Sequence, residues 1–371
     1  MVILELFEQI EWANWKKLTD TEKAACLQQL LMYFIPPKID ITMIELVDFE
    51  LYGIKCRTFE LELDGELFVF IPKNSEAILG WDLGAEGLRP HELLDFDVNS
   101  LEQTTFKTTL TNEAMEPADQ WLEPETRYDL QTLEGISNYI NDHTTPLRKA
   151  EIPAMFVQKY ALPAGTEFLG IVDTITGAFE GEAEKFTSYE TEICAHLFPK
   201  LTEQESLTWT FPTTVLEENR FYLEFIADAE CYFVYSHQTY THRELKAALW
   251  KQGFDLLTED QWEFAVGAGT RRLFRWGNEL LLQNNESGRQ IKEKMTGSNM
   301  FGLVVDTQRN RYELTQDPAI SKLSCQERKK EHLIEQMLSL STYYCSNHKI
   351  LPEQLLAPET YLYRKSIKID L

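Results

Sequence analysis

Thr241-His242-Arg243-Glu244-Leu245 and, shortly after it, Thr258-Glu259-Asp260-Gln261-Trp262 are the stretches from which the fold is first read. In each, a threonine precedes a glutamate or glutamine by three positions. In this capping box the two side chains satisfy N–H groups left free at the start of a helix. The first stretch predicts a short helix with Leu245, Ala248 and Leu249 facing inward and Gly253 as terminator. The second predicts a helix that buries Trp262, Ala265 and Val266 and is ended by Gly267 and Gly269. Three aromatic-rich turns follow, Phe274-Arg275-Trp276-Gly277-Asn278, Asn299-Met300-Phe301-Gly302-Leu303 and Asn310-Arg311-Tyr312-Glu313-Leu314.

Working outward, the first 35 residues read as a helical hairpin. Ile3, Leu6, Phe7 and Ile10 recur at helical spacing, with Trp12 and Trp15 adding bulk. Thr19 to Glu22 forms a further capping box, and Leu27, Leu30, Leu31 and Phe34 share one face up to Pro36-Pro37. From about residue 44 the chain turns to short β-branched and aromatic runs. Glu60 to Leu63 and Leu67 to Ile71 flank Asp64-Gly65, a strong hairpin signal. Ala154 to Tyr160, Gly170 to Thr174, Phe221 to Ile226 and Cys231 to Tyr235 are further strand candidates. The pattern is α+β with much irregular structure, not the strand-helix alternation of a doubly wound sheet.

The chain has 371 residues, with 60 acidic against 35 basic side chains and a formal charge of −25. Such a balance disfavours nucleic acid and anionic membrane as partners, since both reward cationic surfaces. Almost all the excess acid lies before residue 251, and residues 251–371 are close to neutral. Any partner of the acidic part is expected to be neutral or cationic. The acidic runs, Glu180-Gly181-Glu182-Ala183-Glu184 among them, read as solvated surface. Cys26, Cys56, Cys194, Cys231, Cys325 and Cys345 are scattered without a Cys-x-x-Cys pair. With no apolar run of bilayer length and no basic leader at the start, a reducing cytoplasm is the expected location.

The residues around 241–317 resemble the formylglycine-generating enzyme and sulfatase-modifying factor family, which includes the ergothioneine-type sulfoxide synthases. Gly253-Phe254-Asp255-Leu256-Leu257-Thr258-Glu259-Asp260-Gln261-Trp262-Glu263-Phe264-Ala265 is similar to that family's first motif. Phe274 to Asn278, Asn299 to Leu303 and Asn310 to Leu314 follow in its order. Phe68 to Pro72 with Leu79 to Asp82, and Leu362-Tyr363-Arg364, are fainter echoes. The resemblance implies the family's variant of the C-type lectin fold over residues 44–371, behind an N-terminal helical arm of residues 1–43.

What it implies for chemistry is mixed. Family members hold copper with two nearby cysteines close to the C-terminus, whereas Cys325 and Cys345 stand twenty positions apart. Sulfoxide synthases bind iron through a His-x-x-x-His pair and a third histidine, and no two of the seven histidines are four apart. Asn310 and Glu313 occupy the positions that help bind a structural calcium in the family, with Arg309 and Arg311 as unfavourable neighbours. The opposing reading is a turn shaped by Asn310 and a Glu313–arginine pair.

The expected function is therefore a non-catalytic binding or accessory module. Arg275, Trp276, Asn278 and Tyr312 are its expected ligand-binding residues, for a small molecule, a peptide or a protein. The competing expectation is an iron- or copper-dependent oxygenase acting on a thiol. A homodimer formed through the N-terminal arm is a third expectation, from the arm's apolar stripes.

Overall fold

Asp64 and Gly65 both take the left-handed conformation (φ 49° and 80°), so the chain reverses in two residues, and Leu63 pairs with Glu66 across the turn. Around this hairpin the computed structural model describes all residues except 1, 52, 95–127, 279, 281–292, 294, 306–310, 324–331 and 371. The chain divides into two units: Met1–Ala161 with Leu249–Lys349 and Arg364–Leu371, and Leu162–Ala248 with Ile350–Tyr363. Both are α+β with antiparallel sheets.

In the first unit, β1 (Ile41–Leu51), β2 (Ile54–Leu63), β3 (Glu66–Ile71), β6 (Ala154–Gln158) and β16 (Ser366–Ile369) form one antiparallel sheet in the order β1-β2-β3-β6-β16. β4 (Asn74–Leu79) pairs with β5 (Arg148–Ile152) in a separate ribbon. The helices are α1 (Val2–Gln9), α2 (Trp12–Trp15), α3 (Asp20–Phe34), α4 (Pro90–Leu94), α5 (Leu133–Asp142), α10 (Glu259–Gly267) and α11 (Leu333–Met337). One core joins Val69, Ile71, Met155 and Val157 of the sheet to Trp262, Ala265 and Val266 of α10 and to Phe301 and Leu303. A second gathers Trp81, Ile136, Ile140, Phe274, Trp276 and Tyr343.

The first expected helix is broken at Glu11, which is extended (φ −63°, ψ 133°). There the backbone pairs with Lys73: Lys73 N–H donates to Ile10 O (3.0 Å) and Trp12 N–H to Lys73 O (2.7 Å). The Glu11 carboxylate then accepts from Ser75 N–H (3.0 Å) and Oγ (2.8 Å), so pairing to the β4 segment wins over helix propagation. Helix α3 starts with the expected capping box, Thr19 and Glu22 bonding each other's backbone N–H. Trp15 is buried against Phe70 (ring centroids 5.0 Å apart) and Phe59 (6.3 Å).

Helix α10 has its predicted cap, with Thr258 accepting from Gln261 N–H and Gln261 reaching back to Thr258 N–H. Its end differs in detail. Gly267 remains helical, and the left-handed residues are Ala268 (φ 52°) and Gly269 (φ 64°). Close packing accounts for Gly267, because a Cβ there would stand 2.9 Å from Thr342 Cγ2.

The second unit is built on β8 (Thr166–Asp173), β9 (Phe179–Gly181), β10 (Thr214–Glu217), β11 (Phe221–Ile226) and β12 (Cys231–His237), in the order β10-β11-β12-β8-β9. β7 (Leu162–Pro163) pairs with β15 (Tyr361–Tyr363). Helices α6 (Ala183–Thr187) and α7 (Glu190–Leu197) bring Phe186, Ile193 and Leu197 onto one face of the sheet, against Leu169, Val172, Phe221, Leu223, Tyr232 and Val234. A third helix, α8 (Glu203–Ser206), opens with a capping box at Thr202. α9 (His242–Gln252) starts with the box predicted at Thr241 and Glu244, and Gly253 follows it at φ 98°. The remaining short strands, β13 (Tyr312–Leu314) and β14 (Ser321–Lys322), pair with each other in the first unit.

Candidate functional site

The residues expected to bind a ligand do not form one exposed surface. Trp276 is fully buried and stacked on Phe274, their rings 4.9 Å apart at 26°. Gly277 N–H closes that turn on Phe274 O (3.1 Å), so the motif works as a core corner. Arg275 is also buried. Its guanidinium lies 5.4 Å from the Trp276 ring and donates to the carbonyls of Met295 and Val305. Asn278 is exposed, with its amide near Gly87. Tyr312 is half-buried and stacks on His348 (4.2 Å, 12°), whose imidazole is pushed below its usual pKa by burial.

Around the end of α10, Arg275 and Asn299 line a small cavity with Gly267, Ala268, Thr270 and Arg272. The space in it for the centre of a water molecule is about 10 Å³, room for roughly one water. Asn299 itself is fully used. Its amide donates to Ala265 O (2.6 Å) and Val266 O (3.0 Å), and its carbonyl accepts from Phe301 N–H (2.9 Å) and Leu303 N–H (3.0 Å). It closes the C-terminus of α10 as Thr258 opens the N-terminus.

Of the two residues expected to help bind calcium, Asn310 lies outside the described residues. Glu313 has no exposed surface, and its two oxygens accept from the Arg364 guanidinium at 2.8 and 3.3 Å. The same guanidinium donates to the carbonyls of Gln158, Lys159 and Val304. A buried carboxylate so paired is already neutralised, which leaves it little charge to offer a divalent cation. Among the described residues no group of three His, Cys, Asp or Glu side chains could hold a metal ion. Cys345 is half-buried, its thiol raised above the usual range by burial, and Cys325 lies outside the described residues.

A cluster of buried charge in the first unit lies at the start of α10. Lys322, sealed from solvent, donates to Glu259 (2.7 Å) and Glu263 (2.8 Å). Glu263 also accepts from Thr145 Oγ1 (2.8 Å) and Arg148 (3.0 Å). Burial alone would lower the Lys322 pKa, but Glu263 and Glu259 raise it above the ordinary value, so the ammonium stays charged. The groups satisfy one another, as a structural brace between helix, strand and loop does.

A different arrangement is open to solvent, on the sheet of the second unit. Opposite Val234 and Tyr235 the β8 register slips: Val234 faces Gly170 but Tyr235 faces Phe168, leaving Leu169 as an extra residue. The bulge lets Leu169 point into the core and puts Phe168 on the same face as Ile171, three positions away, where a regular strand would separate them. Glycine is required beside it: a Cβ on Gly170 would stand 2.3 Å from Glu180 O, and one on Gly181 2.2 Å from Leu169 O. Across the strands Phe168 meets Phe233 (5.6 Å) and Tyr235 (5.5 Å), and Tyr235 meets Tyr222 (5.9 Å). Phe168 is 39 % exposed, and Ile171, Phe233 and Ile226 are part-exposed on the same face. Glu180 pairs with Ile171, which sets its exposed carboxylate on that face too, whereas Glu224, opposite Phe233, and Tyr222 and Tyr235 share the face but are buried. Sequence reading found strands here but not the bulge; Gly170 inside a strand run was the available signal.

Residues 167–236, the segment carrying this sheet, match the profilin-like domain of unknown function. No curated protein matches the chain. This corrects the expected assignment: the family that matches lies in the stretch before the motifs, and the likeness to formylglycine-generating enzymes falls away. Its motifs have local explanations. Thr258 and Gln261 cap a helix, Phe274 to Asn278 make a core turn, and Asn299 closes a helix end. Helix ends in any fold need such groups, so their resemblance carries little information about ancestry. Among the described residues, no helix is long and apolar enough to cross a membrane.

Proposed function

We infer that the protein is a non-catalytic binding module and that the open aromatic face of its profilin-like segment is where it binds. The observation that carries this reading is the bulge at Leu169. It brings Phe168 beside Phe233 and Ile171 on a face with solvent access, at the cost of two glycines held at close backbone approaches. Bulges that re-aim a side chain are features a fold keeps for a purpose, and aromatic groups of this kind are the usual anchors of peptide and protein interfaces. The buried ion pairs of the first unit support the same reading, because Glu263 with Lys322, and Glu313 with Arg364, spend their charge inside the fold.

The test is selection of peptides from a random displayed library on the full chain and on its Phe168→Ser variant. The reading expects the wild type to enrich a related set of sequences and the variant to lose them while keeping its circular dichroism. Enrichment that is equal on both proteins, or none at all on the wild type, overturns it.

A further inference from the structure

We propose that the occupant of this face is a basic segment of a protein partner, which seats an apolar side chain among Phe168, Ile171 and Phe233 and sets lysine or arginine against the surrounding carboxylates. The inference rests on the binding-module reading and adds to it the chemistry of the partner.

Charge complementarity carries the choice. Between residues 167 and 236 there are fourteen Asp and Glu side chains against three Lys and Arg. By register, the exposed Glu180 and the part-exposed Asp173 share the face of Phe168 and Phe233, and no lysine or arginine of the five strands does; Glu224 lies on that face but is buried. Asp173 is fixed as an anion: the N–H and hydroxyl of Thr176 and the N–H of Ile175 hold its carboxyl below the usual range. The three cations of the segment are engaged elsewhere or lie off the sheet: Arg220 pairs with Glu192 (2.7 Å), Lys185 sits on α6 with Glu182 (3.1 Å), and Lys200 follows α7. An apolar patch ringed by one sign of charge selects partners twice. Burial of an anchor supplies affinity, and the field supplies on-rate and rejects acidic competitors. A nucleic acid or an anionic membrane would meet repulsion on this face.

The test is fluorescence anisotropy of short labelled peptides with the full chain. The probes are an alternating lysine–leucine peptide, its serine–leucine and glutamate–leucine counterparts, and a lysine–serine peptide that has charge without anchors. The proposal expects the lysine–leucine peptide to bind at least tenfold more tightly than the other three. It also expects weakening of several fold as salt shortens the Debye length, and losses of about tenfold with Phe168→Ser and about threefold with Glu180→Gln. Tight binding of the serine–leucine peptide, lost in Phe168→Ser but untouched by Glu180→Gln, keeps the module reading and overturns the basic partner. Equal binding of lysine–leucine and lysine–serine peptides, insensitive to Phe168→Ser, shows bulk charge alone and also overturns it. If no peptide binds while the folded variants melt as the wild type does, both readings fall.

Discussion

The ammonium of Lys322 lies 2.8 Å from the carboxylate of Glu263, and neither side chain is open to water. Each is the other's main compensation for leaving solvent, with Glu259, Arg148 and Thr145 completing the set. Removing one partner strands the other, and a stranded buried charge is costly where an apolar replacement of both is not.

Lys322→Met is therefore expected to destabilise the chain by about 3 kcal/mol or more, by urea denaturation. Lys322→Met combined with Glu263→Leu should recover part of that loss, although Arg148 then loses a partner. If the double variant is as unstable as the sum of the singles, the two residues are not compensating each other.

Asn299→Ala should be more damaging than Thr258→Ala, although both act on the ends of α10. The threonine cap bonds one N–H and is worth about 1 kcal/mol. The asparagine makes four bonds in the core, and losing it leaves buried carbonyls of Ala265 and Val266 unsatisfied, at about 1–3 kcal/mol each. Equal midpoint shifts for the two variants would show that water replaces Asn299.

Local elements were well marked in the sequence and non-local ones were not. Asp64-Gly65 and the boxes at Thr19, Thr241 and Thr258 are set by interactions within four residues, so their chemistry is visible in a short window. The strand Phe221–Ile226 falls where its β-branched and aromatic run does. The burial of Trp276 depends on Phe274 and on core residues far along the chain, among them Trp81 and Tyr343, and no local pattern reveals that. The side of the sheet on which Phe168 stands depends on a one-residue slip against β12, and a period-two reading cannot anticipate a slip. The apparent family likeness failed for the same reason that the local elements succeeded: it was assembled from caps and turns.

Acid should weaken the fold before the carboxylates titrate. Burial lowers the pKa of His237, His332 and His348 below 6.5 in the folded state. Between the unfolded value and those lowered values the unfolded chain binds more protons, so stability falls as pH drops below about 6.5. The melting temperature is expected to decline from pH 7 to 5.5, and His237→Asn, which removes one of the three, should make that decline shallower. A flat profile over this range would mean that these imidazoles are solvated in the folded chain.

Gly181→Ala tests the bulge without touching the aromatic face. Gly181 stands at φ 149°, and a Cβ there would approach the carbonyl oxygen of Leu169 to 2.2 Å and Gly170 Cα to 2.6 Å. Both are backbone atoms of the bulged strand, so relief requires β9 to withdraw from β8. The expected cost is about 2 kcal/mol or more, in the range of steric and special-backbone substitutions. Because β9 is the edge strand, the sheet should survive with β9 loosened. Hydrogen exchange should then show faster exchange at the N–H groups that bridge β8 and β9, those of Ile171, Asp173, Glu180 and Glu182, while Phe221 to Ile226 on the far side stay protected. Displayed-library selection on this variant should return weakened enrichment, since the backbone that aims Phe168 has lost its support. Unchanged exchange at β9 together with unchanged enrichment would show that the glycine pair does not hold the bulge in place.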